Sequence, residues 1–519
     1  MSWQPEADEI AQRRAWARAH GDSEAAARYR AQGWQTVRER IDQLADPGTF
    51  QEIGGLMGTP HFKDGALSGI TPGAYATGLA EIDGRPVVIG GDDFSVRGGS
   101  SSGYRTKGGQ NGFSGELAHE YRIPLINLYH GSGGSVAGVR SRGHALYPGS
   151  NSSLQFAALL GHVPVISAVM GTSAGGPAGR AVLSHFSVMV RGSSQIFASG
   201  PPVVKRALGV DISKEDLGGA KVAVDTAGSI DNAADSEAAC LEMIRRFLSY
   251  MPQNVWELPA RVTTGDPPER RERDLLSIVP RDRRQPYDMK RIVNLVVDQE
   301  SFFEIQPTFG RAVIVGFARL DGYVVGIIAN TPLFNGGAID GAAARKQTRF
   351  IDLCDTFNIP IVFLVDAPGF AIGPRAEAEG ALREGMRCLQ ARMQASVPML
   401  TVVVRRCFGF GGFVTRDNMG LDFKVAWPSA QIGSLPLEGG VLATYRREIE
   451  GAADPAARQV EIEDELRMKS SPFRMAEAFA IEDLIDPRET RAYLCRFVQA
   501  MQGRLRTTLG PKGRIGPRA

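Results

Sequence analysis

The stretch ATGLAEIDGRPVVIGGDDFSVRGGS, residues 76–100, decides the fold because the chain contains a second copy of it. The second copy is VIVGFARLDGYVVGIIANTPLFNGGA, residues 313–338. A repeat at a fixed distance indicates one supersecondary unit used twice, so we predict two homologous domains. The identical residues lie at a constant offset of 238 positions: Gly78 and Gly316, Ala80 and Ala318, Asp83 and Asp321, Gly84 and Gly322, and Gly98-Gly99 and Gly336-Gly337.

Matches outside this stretch follow in the same order along the chain. Between them, short β-rich runs bounded by glycine alternate with helical stretches, a pattern typical of βα units around a buried sheet. The further matched pairs are RIDQLADPGTFQEI (40–53) with RIVNLVVDQESFFEI (291–305), Ile123-Pro124 with Ile359-Pro360, Val163-Pro164 with Val397-Pro398, and Gly175-Gly176 with Gly411-Gly412.

These matches predict an α/β protein with two tandem domains. An N-terminal helical segment, rich in Ala, Glu, Arg and Gln, covers residues 1–35. The first domain covers 36–260 and the second 285–519. A linker rich in proline and in charges of both signs, residues 261–284, joins them.

Composition excludes several classes of protein. The 59 basic and 57 acidic residues leave a net charge of +2, which gives no electrostatic case for binding nucleic acid or an anionic membrane. The N-terminus MSWQPEADEIAQRRAWARAH lacks the apolar region of a secretory signal, and no apolar run approaches the ~18 residues that a membrane span needs. The five cysteines form no C-x-x-C pair. We therefore predict a reduced, cytoplasmic protein without a membrane span.

Glycine-rich loops follow strand-like runs in both predicted domains. Glycine lacks a Cβ atom, so its N–H can closely approach an oxygen of a ligand. Two such amides at a strand end or a helix start form an oxyanion hole, which would stabilise a thioester enolate or a ureido oxyanion. A tight turn explains any one of these loops equally well, but they recur in both repeats: GSGG (131–134), SAGG (173–176), PGF (368–370) and GFGG (409–412).

Conventional catalytic groups are scarce. All seven histidines lie in the first 185 residues, and no H-E-x-x-H motif or Cys/His cluster occurs, so we expect no metal. No P-loop motif is present, so we expect no ATP site. Ser132 and Ser173 lie in glycine-rich loops, but no Asp–His pairing accompanies either as a nucleophile. His130 is the best candidate for a general base, although a turn residue held by backbone hydrogen bonds fits its position as well.

The chain resembles the carboxyltransferase (β) subunits of biotin-dependent acyl-CoA carboxylases, such as those that act on propionyl-, acetyl- and methylcrotonyl-CoA. The resemblance runs from about residue 28 to residue 500. The segments that carry it are RERIDQLADPGTFQEIG (38–54), DDFSVRGGS (92–100), GTSAGGPAG (171–179), FASGPPVVKRALG (197–209), DLGGA (216–220), PYDMKRIVNLVVDQESFFEIQP (286–307), FGRAVIVGFARLDG (309–322), ARKQTRFIDLCDTFNIPIVFLVDAPGF (344–370) and WPSAQIG (427–433).

The resemblance implies two tandem crotonase-like (ClpP/crotonase) domains, the first binding an acyl-CoA thioester and the second the biotin of a carrier protein. It implies that the N1 atom of biotin, left behind by CO₂, takes the α-proton of the acyl-CoA. The implied oxyanion pairs are Gly175-Gly176 on the acyl side and Gly411-Gly412 on the biotin side. The other implied site residues are Gly133, Gly134, Ser173, Ala174 and Thr415 for the acyl substrate, and Pro368, Gly369, Phe370 and Phe410 for biotin.

Two segments depart from the pattern of that family. RRCFGFGGFVT (405–415) is two residues longer than the usual R-K-A-Y-G-G-A-Y-D, and Thr415 stands where many members carry the substrate-selecting residue. The segment AIGPRAEAEGALREGMRC (371–388) replaces a Gln- and Glu-rich loop. A short- or medium-chain acyl-CoA is the expected substrate. A decarboxylase subunit running the same half-reaction in reverse, and an acyl-CoA-binding assembly subunit without catalysis, are the alternatives.

The resemblance also implies partners. The chain has no Ala-Met-Lys-Met biotinylation motif and no ATP-binding signature. A separate biotin carboxylase and a biotin carboxyl carrier protein are therefore expected. A hexamer built from homodimers is the implied assembly.

Overall fold

The computed structural model describes residues 2–19, 23–31, 33–99, 113–133, 140, 143–144, 157–282, 284–415 and 423–513. The chain divides into two compact units, Met1–Val255 and Trp256–Ala519. Each unit is built on one large mixed β-sheet with helices.

The large sheet of the first unit has the strand order β1-β4-β5-β6-β7-β9-β11. Its first three strands pair antiparallel and the rest pair parallel. Two small sheets accompany it, the hairpin β2-β3 and the parallel pair β8-β10. The strands are β1 Gln51–Glu52, β2 Gly58–Lys63, β3 Ala66–Pro72, β4 Tyr75–Ile82, β5 Arg85–Asp92, β6 Leu125–Tyr129, β7 Val165–Val169, β8 Thr172–Ala174, β9 Phe186–Val190, β10 Gln195–Phe197 and β11 Asn232–Ala234.

The second unit repeats this plan with the order β12-β13-β14-β15-β16-β17-β19. Strand β18 pairs with the end of β16 outside that path. The strands are β12 Phe303–Ile305, β13 Val313–Leu320, β14 Tyr323–Asn330, β15 Ile361–Ala367, β16 Met399–Phe408, β17 Lys424–Ala426, β18 Gln431–Gly433 and β19 Asp483–Leu484.

Strand register confirms the sequence repeat residue by residue. In the first unit Val88 of β5 lies opposite Leu125 of β6, and in the second unit Gly326 of β14 lies opposite Ile361 of β15. These pairs are related by the offsets of 238 and 236 that relate Gly78 to Gly316 and the Ile-Pro pairs. The two units are therefore homologous in pairing as well as in strand order.

Helices flank both sheets. In the first unit they are α1 Gln4–Arg18, α2 Ser23–Ala31, α3 Val37–Leu44, α4 Ser114–Tyr121, α5 Gly176–Val182, α6 Pro201–Leu208, α7 Lys214–Gly218 and α8 Glu237–Tyr250. In the second unit they are α9 Met289–Val296, α10 Gly341–Thr356, α11 Pro374–Ala378, α12 Ala381–Gln394, α13 Gly409–Val414, α14 Leu437–Thr444, α15 Arg446–Glu450, α16 Pro455–Lys469, α17 Pro472–Glu477 and α18 Thr490–Leu505. Short 3₁₀ helices lie at Arg97–Gly99, Arg273–Leu276, Asn335–Gly337 and Pro487–Glu489, and a short π-helix at Lys221–Thr226.

One carboxylate anchors the same β-turn in each unit. Asp46 accepts the N–H groups of Asp83 (3.0 Å) and Gly84 (2.8 Å), which form the turn between β4 and β5 with positive φ. Asp298 makes the same two bonds to the turn between β13 and β14, at 3.0 and 2.8 Å. Arg491 of α18 also donates to Asp298 at 2.7 Å. The matched segments 40–53 and 291–305 therefore anchor the same turn in both units.

The segment predicted as a linker packs against the second unit. Arg270 donates to both carboxylate oxygens of Asp266, at 2.6 and 3.0 Å, and to the main-chain carbonyls of Leu295 and Val297. Leu275 is buried in the core of that unit. The opposite charges of this segment thus pair with each other and with the unit, and the compact units divide at Val255 and Trp256.

Candidate functional site

The SAGG segment of the first unit places glycine amides at a helix start. Gly175 caps α5 in a positive-φ conformation (62°), and its N–H donates to the carbonyl of Phe197 at 3.3 Å. Gly176 is the first residue of the helix, where N–H groups have no acceptor within the helix. Of the predicted pair, Gly176 is the residue with its amide at such a position.

Residues 131–133 of the GSGG segment contact this segment. Ala174 donates its N–H to the carbonyl of Gly131 at 3.0 Å. Gly133 has a φ of 72°, and a Cβ atom on it would lie 2.6 Å from the carbonyl oxygen of Ala174. Ser173 is buried, and its hydroxyl has no hydrogen-bond partner within the described residues. Of the predicted acyl-side residues in this unit, the structure brings Gly133, Ser173 and Ala174 together, and Gly134 lies outside the described residues.

His130 lies in an aromatic cage beside these loops. Its Nδ1 atom lies 2.7 Å from the hydroxyl of Tyr29. Its ring stacks on that of Phe94, with centroids 4.2 Å apart and 24° between planes. The ring of Trp34 lies at 89° to it in a T-shaped contact, with centroids 5.2 Å apart. Burial, helped by the charge of Arg40, lowers the pKa of His130 well below its usual range. The imidazole is therefore neutral at pH 7 and enclosed by aromatic rings.

A buried carboxyl lies beneath the GSGG loop. Asp92 is 1% exposed, and a Cβ atom on Gly131 would come within 3.1 Å of its Oδ2 atom. Burial raises the pKa of Asp92 to about 7, against the opposing charge of Arg180. The glycine motifs gave no signal for Asp92, Tyr29 or Trp34. Tyr29 and Trp34 lie within the predicted N-terminal segment, residues 1–35, far along the chain from those motifs.

The predicted biotin-side residues of the second unit also come together. Gly369 lies against Gly411, because a Cβ atom on Gly411 would be 2.8 Å from the Cα atom of Gly369. The ring of Phe370 stacks on that of Phe410, with centroids 6.1 Å apart and 12° between planes. Pro368 directly precedes Gly369, and a Cβ atom on Gly337 would lie 3.6 Å from its Cδ atom. Phe410 is 51% exposed, so this loop cluster offers an accessible aromatic face.

The strand register revises the pairing of the two glycine pairs. Ser173 lies opposite Ile196 in β8-β10, and Cys407 lies opposite Ile432 in β16-β18. Ser173 and Cys407 are thus equivalent, which carries Gly175-Gly176 onto Gly409-Phe410 rather than onto Gly411-Gly412. The sequence match aligned identical residues. In GFGG, however, the helix α13 starts at Gly409, two residues before the twin glycines Gly411-Gly412.

The position of each residue in α13 determines whether its amide has an acceptor within the helix. Gly409, Phe410 and Gly411 are the first three residues of α13, whose N–H groups have no acceptor within the helix. Gly412 is the fourth, where regular geometry directs the N–H to the carbonyl of the capping residue. Thr415 is buried, and its hydroxyl donates to the carbonyl of Gly411 at 2.7 Å. The roles assigned to Gly412 and Thr415 stay predictions.

No three His, Cys, Asp or Glu side chains among the described ranges come together as metal ligands. No helix in the part of the chain that the structure describes is long and apolar enough to cross a membrane.

Comparison with known proteins identifies the family. The family profile described as Carboxyl transferase domain matches residues 28–515. The propionyl-CoA carboxylase carboxyltransferase subunit of Haloferax mediterranei is 37% identical over 503 residues, which cover 95% of each chain. The methylmalonyl-CoA decarboxylase subunit alpha of Veillonella parvula is 33% identical over 482 residues, 91% of each chain.

A solved structure supports the same conclusion. The transcarboxylase 12S structure, described as a hexamer with methylmalonyl-coenzyme A bound, superposes with a TM-score of 0.87 at 28% identity, covering 100% of this chain and 98% of that one. The predicted fold class, α/β with two tandem homologous crotonase-like domains, is confirmed. With the profile spanning both units, this chain belongs to the carboxyl transferase family.

Proposed function

We propose that this chain is the carboxyltransferase subunit of a biotin-dependent acyl-CoA carboxylase. It moves a carboxyl group from carboxybiotin, carried by a partner, to the α-carbon or the vinylogous carbon of a short- or medium-chain acyl-CoA. One observation carries the proposal: both homologous units begin a helix with glycine-rich amides at equivalent positions, in a chain that matches the family over residues 28–515.

The first unit is the acyl-CoA side of this proposal. The N–H of Gly176 would donate to the thioester oxygen, on which negative charge develops when the α-proton leaves. Gly133, Ser173 and Ala174 shape the backbone around that oxygen. A preorganised amide stabilises the enolate without reorganising at the moment of reaction.

The second unit is the biotin side. The amides of Gly409, Phe410 and Gly411 would donate to the ureido oxygen of biotin, which gains charge as CO₂ departs. The exposed face of Phe410 lies beside these amides and suits an apolar ring system. Biotin would thus be held by amides at one edge and by an aromatic ring along its face.

The proton on the α-carbon needs an acceptor. His130 is neutral but enclosed by Tyr29, Trp34 and Phe94, and we assign the role instead to the ureido nitrogen exposed by loss of CO₂. The chain's own residues then hold two oxyanions and no proton. No protein general base is required by this scheme.

Partners follow from the proposed reaction. Biotin would arrive on a carboxyl carrier protein charged by a biotin carboxylase. We propose a hexamer of this chain in the cytoplasm, in line with the hexamer named for transcarboxylase 12S. Sizing of the purified protein by light scattering tests the assembly directly.

A decarboxylase is the second candidate, because the methylmalonyl-CoA decarboxylase subunit of Veillonella parvula is 33% identical over 91% of this chain. The half-reaction is the same in reverse, so the partners distinguish the two. Co-purification from the native host, followed by a streptavidin blot and mass spectrometry, would recover an ATP-dependent carboxylase in one case and a membrane ion pump in the other.

The direct test is carboxyl transfer between a malonyl-type CoA and free biotin. Purified protein with methylmalonyl-CoA and biotin should yield propionyl-CoA and carboxybiotin in equal amounts. Gly176→Val serves as the negative control. Absence of transfer from several malonyl-type thioesters, with CoA binding retained, would favour the non-catalytic assembly subunit.

A further inference from the structure

Asp366 is a buried carboxylate that the proposed reaction does not use. It lies near the end of β15, two residues before Pro368, and is 0% exposed. Its Oδ2 atom accepts a hydrogen bond from Nε of Arg405 at 3.0 Å, and Nη2 of Arg405 lies 3.0 Å from the same oxygen as an ion-pair contact. Its Oδ1 atom accepts from the main-chain N–H (3.2 Å) and Nε (2.6 Å) of Arg406. Two consecutive arginines therefore bind both oxygens of one carboxylate.

A local irregularity of β16 makes this arrangement possible. Side chains of consecutive strand residues normally point to opposite faces of the sheet. Between β15 and β16 the register shifts: Val365 lies opposite Val403, but Ala367 lies opposite Cys407. Two extra residues on β16 form a bulge at this point. The bulge turns both Arg405 and Arg406 toward Asp366.

The two arginines extend the network to other segments. Nη2 of Arg406 donates to the carbonyl of Gly336 at 2.6 Å, in the Asn335–Gly337 turn. Nη1 of Arg405 donates to the carbonyl of Gln285 at 3.0 Å, and its guanidinium lies 4.7 Å from the ring centroid of Tyr287. One carboxylate thus connects the segment before PGF, the segment before GFGG and the glycine turn at 336–337.

These glycine segments are tightly packed against one another. Ile339 donates its N–H to the carbonyl of Gly369 at 3.1 Å, and a Cβ atom on Gly337 would lie 2.5 Å from the carbonyl oxygen of Asp366. Gly411 lies against the backbone of Gly369. A shift of any one of these segments would therefore displace the amides at the start of α13.

We propose that Asp366 is a positioning residue of the second unit, which fixes the amides of Gly409, Phe410 and Gly411 relative to the PGF loop through Arg405 and Arg406. The inference rests on the proposed function, since those amides are the proposed donors to biotin. Asp366 has no exposed surface and would act through the two arginines rather than on the substrate. Small misplacement of a catalytic group costs about 10²-fold in rate, so the effect should fall on turnover.

The test compares Asp366→Asn with a matched control, Asp298→Asn. Asp298 is also buried and accepts from an arginine and from main-chain N–H groups, but it holds the turn at 321–322. We expect Asp366→Asn to lower kcat for carboxyl transfer about 10²-fold, with the KM for acyl-CoA changed less than about twofold. Asp298→Asn should leave kcat per folded molecule unchanged.

Hydrogen–deuterium exchange supplies a readout that does not depend on activity. Asp366→Asn should speed exchange in peptides that cover 335–339, 368–371 and 407–415, and Asp298→Asn should not. Unchanged exchange there, or equal changes in both variants, would overturn the positioning role. Faster local exchange with undiminished kcat would overturn it as well. An inactive wild-type protein would instead refute the proposed function, and exchange alone would then decide whether Asp366 fixes the loops.

Discussion

His130 and Asp366 occupy the same position in the two units. His130 directly follows β6 and Asp366 lies near the end of β15. The two are related by the offset of 236 that relates Leu125 to Ile361, and each precedes a glycine loop. The residues that they contact are also equivalent. Gly171 packs against the ring of His130, and Arg405 donates to Asp366. The offset of 234 that relates Val165 to Met399 also relates Gly171 to Arg405. In one unit a ring packs over a glycine, and in the other a carboxylate binds a guanidinium.

Gly171→Ala should therefore destabilise the protein. A Cβ atom on Gly171 would lie 2.2 Å from the His130 ring, which Phe94 and Trp34 enclose. Overpacking of this kind costs about 1–3 kcal/mol. The free energy of unfolding of the first unit, followed by urea titration, measures it.

Gly179→Ala is the matched control for this substitution. Gly179 lies in α5 with nothing within 4 Å of an added Cβ atom. Alanine there should be neutral or stabilising, by about 0.5–1 kcal/mol. Equal stability of the two variants would show that the ring can move aside.

Gly176→Val should abolish carboxyl transfer while leaving the fold intact. Its nearest neighbour for an added Cβ is Nη1 of Arg180, at 3.4 Å, which is ordinary contact with a flexible side chain. The branched side chain would instead block the close approach of the substrate oxygen to the amide. Loss of one oxyanion donor costs about 10²–10³ in rate. Retention of more than about a tenth of wild-type kcat would contradict the role.

No single His→Ala substitution should lower activity by the ~10²–10⁴ expected of an essential general base. His130 is the decisive case because it lies nearest the glycine loops, and His130→Ala should lower stability by opening a cavity in its cage. Activity is therefore measured per folded molecule. A ~10³-fold loss in kcat at His130, with acyl-CoA binding unchanged, would identify it as the base.

Stability should depend on pH through Asp92. Burial raises the folded pKa of this carboxyl to about 7, above the ordinary value of 3.8. Between these two pH values the folded state therefore binds more protons than the unfolded state. The stabilisation that protonated Asp92 gives the folded state is complete below pH ~4 and is lost as pH rises through about 7. The full difference between the two pKa values corresponds to about 4 kcal/mol.

Asp92→Asn removes that titration. The unfolding free energy of the variant should fall less between pH 5 and pH 8 than that of the wild type, as measured by urea titration at each pH. Asp46→Asn is the contrasting control, because hydrogen bonds from Gly84 and Asp83 lower the pKa of Asp46. A wild-type profile parallel to that of Asp92→Asn would show that Asp92 is already charged in the folded protein.

The sequence predicts the repeat well because identical glycines and Ile-Pro pairs mark strand ends, and the strand registers reproduce their offsets. It fails where tertiary contacts decide. The cage around His130 draws on Tyr29 and Trp34, about 100 residues away in the chain. The hydrogen-bond network of Asp366 depends on a β-bulge that no sequence motif marks. The glycine pairs were matched by identity, whereas the strand register sets their equivalence.

Phe410 should contribute to binding of biotin and not of acyl-CoA. Its ring is 51% exposed, stacks on Phe370 and lies 5.9 Å from Phe413, centroid to centroid. Truncation to alanine keeps the main-chain amide but removes the apolar face, and aromatic anchors of this kind typically contribute more than 1 kcal/mol to binding. Phe410→Ala should raise the KM for free biotin about tenfold and leave the KM for acyl-CoA unchanged.

Phe473→Ala, at a residue of similar exposure (57%) on α17, is the control and should change neither constant. An equal rise in both KM values for Phe410→Ala would indicate a general disturbance of the second unit, and an unchanged KM for biotin would exclude the aromatic face as part of the biotin site.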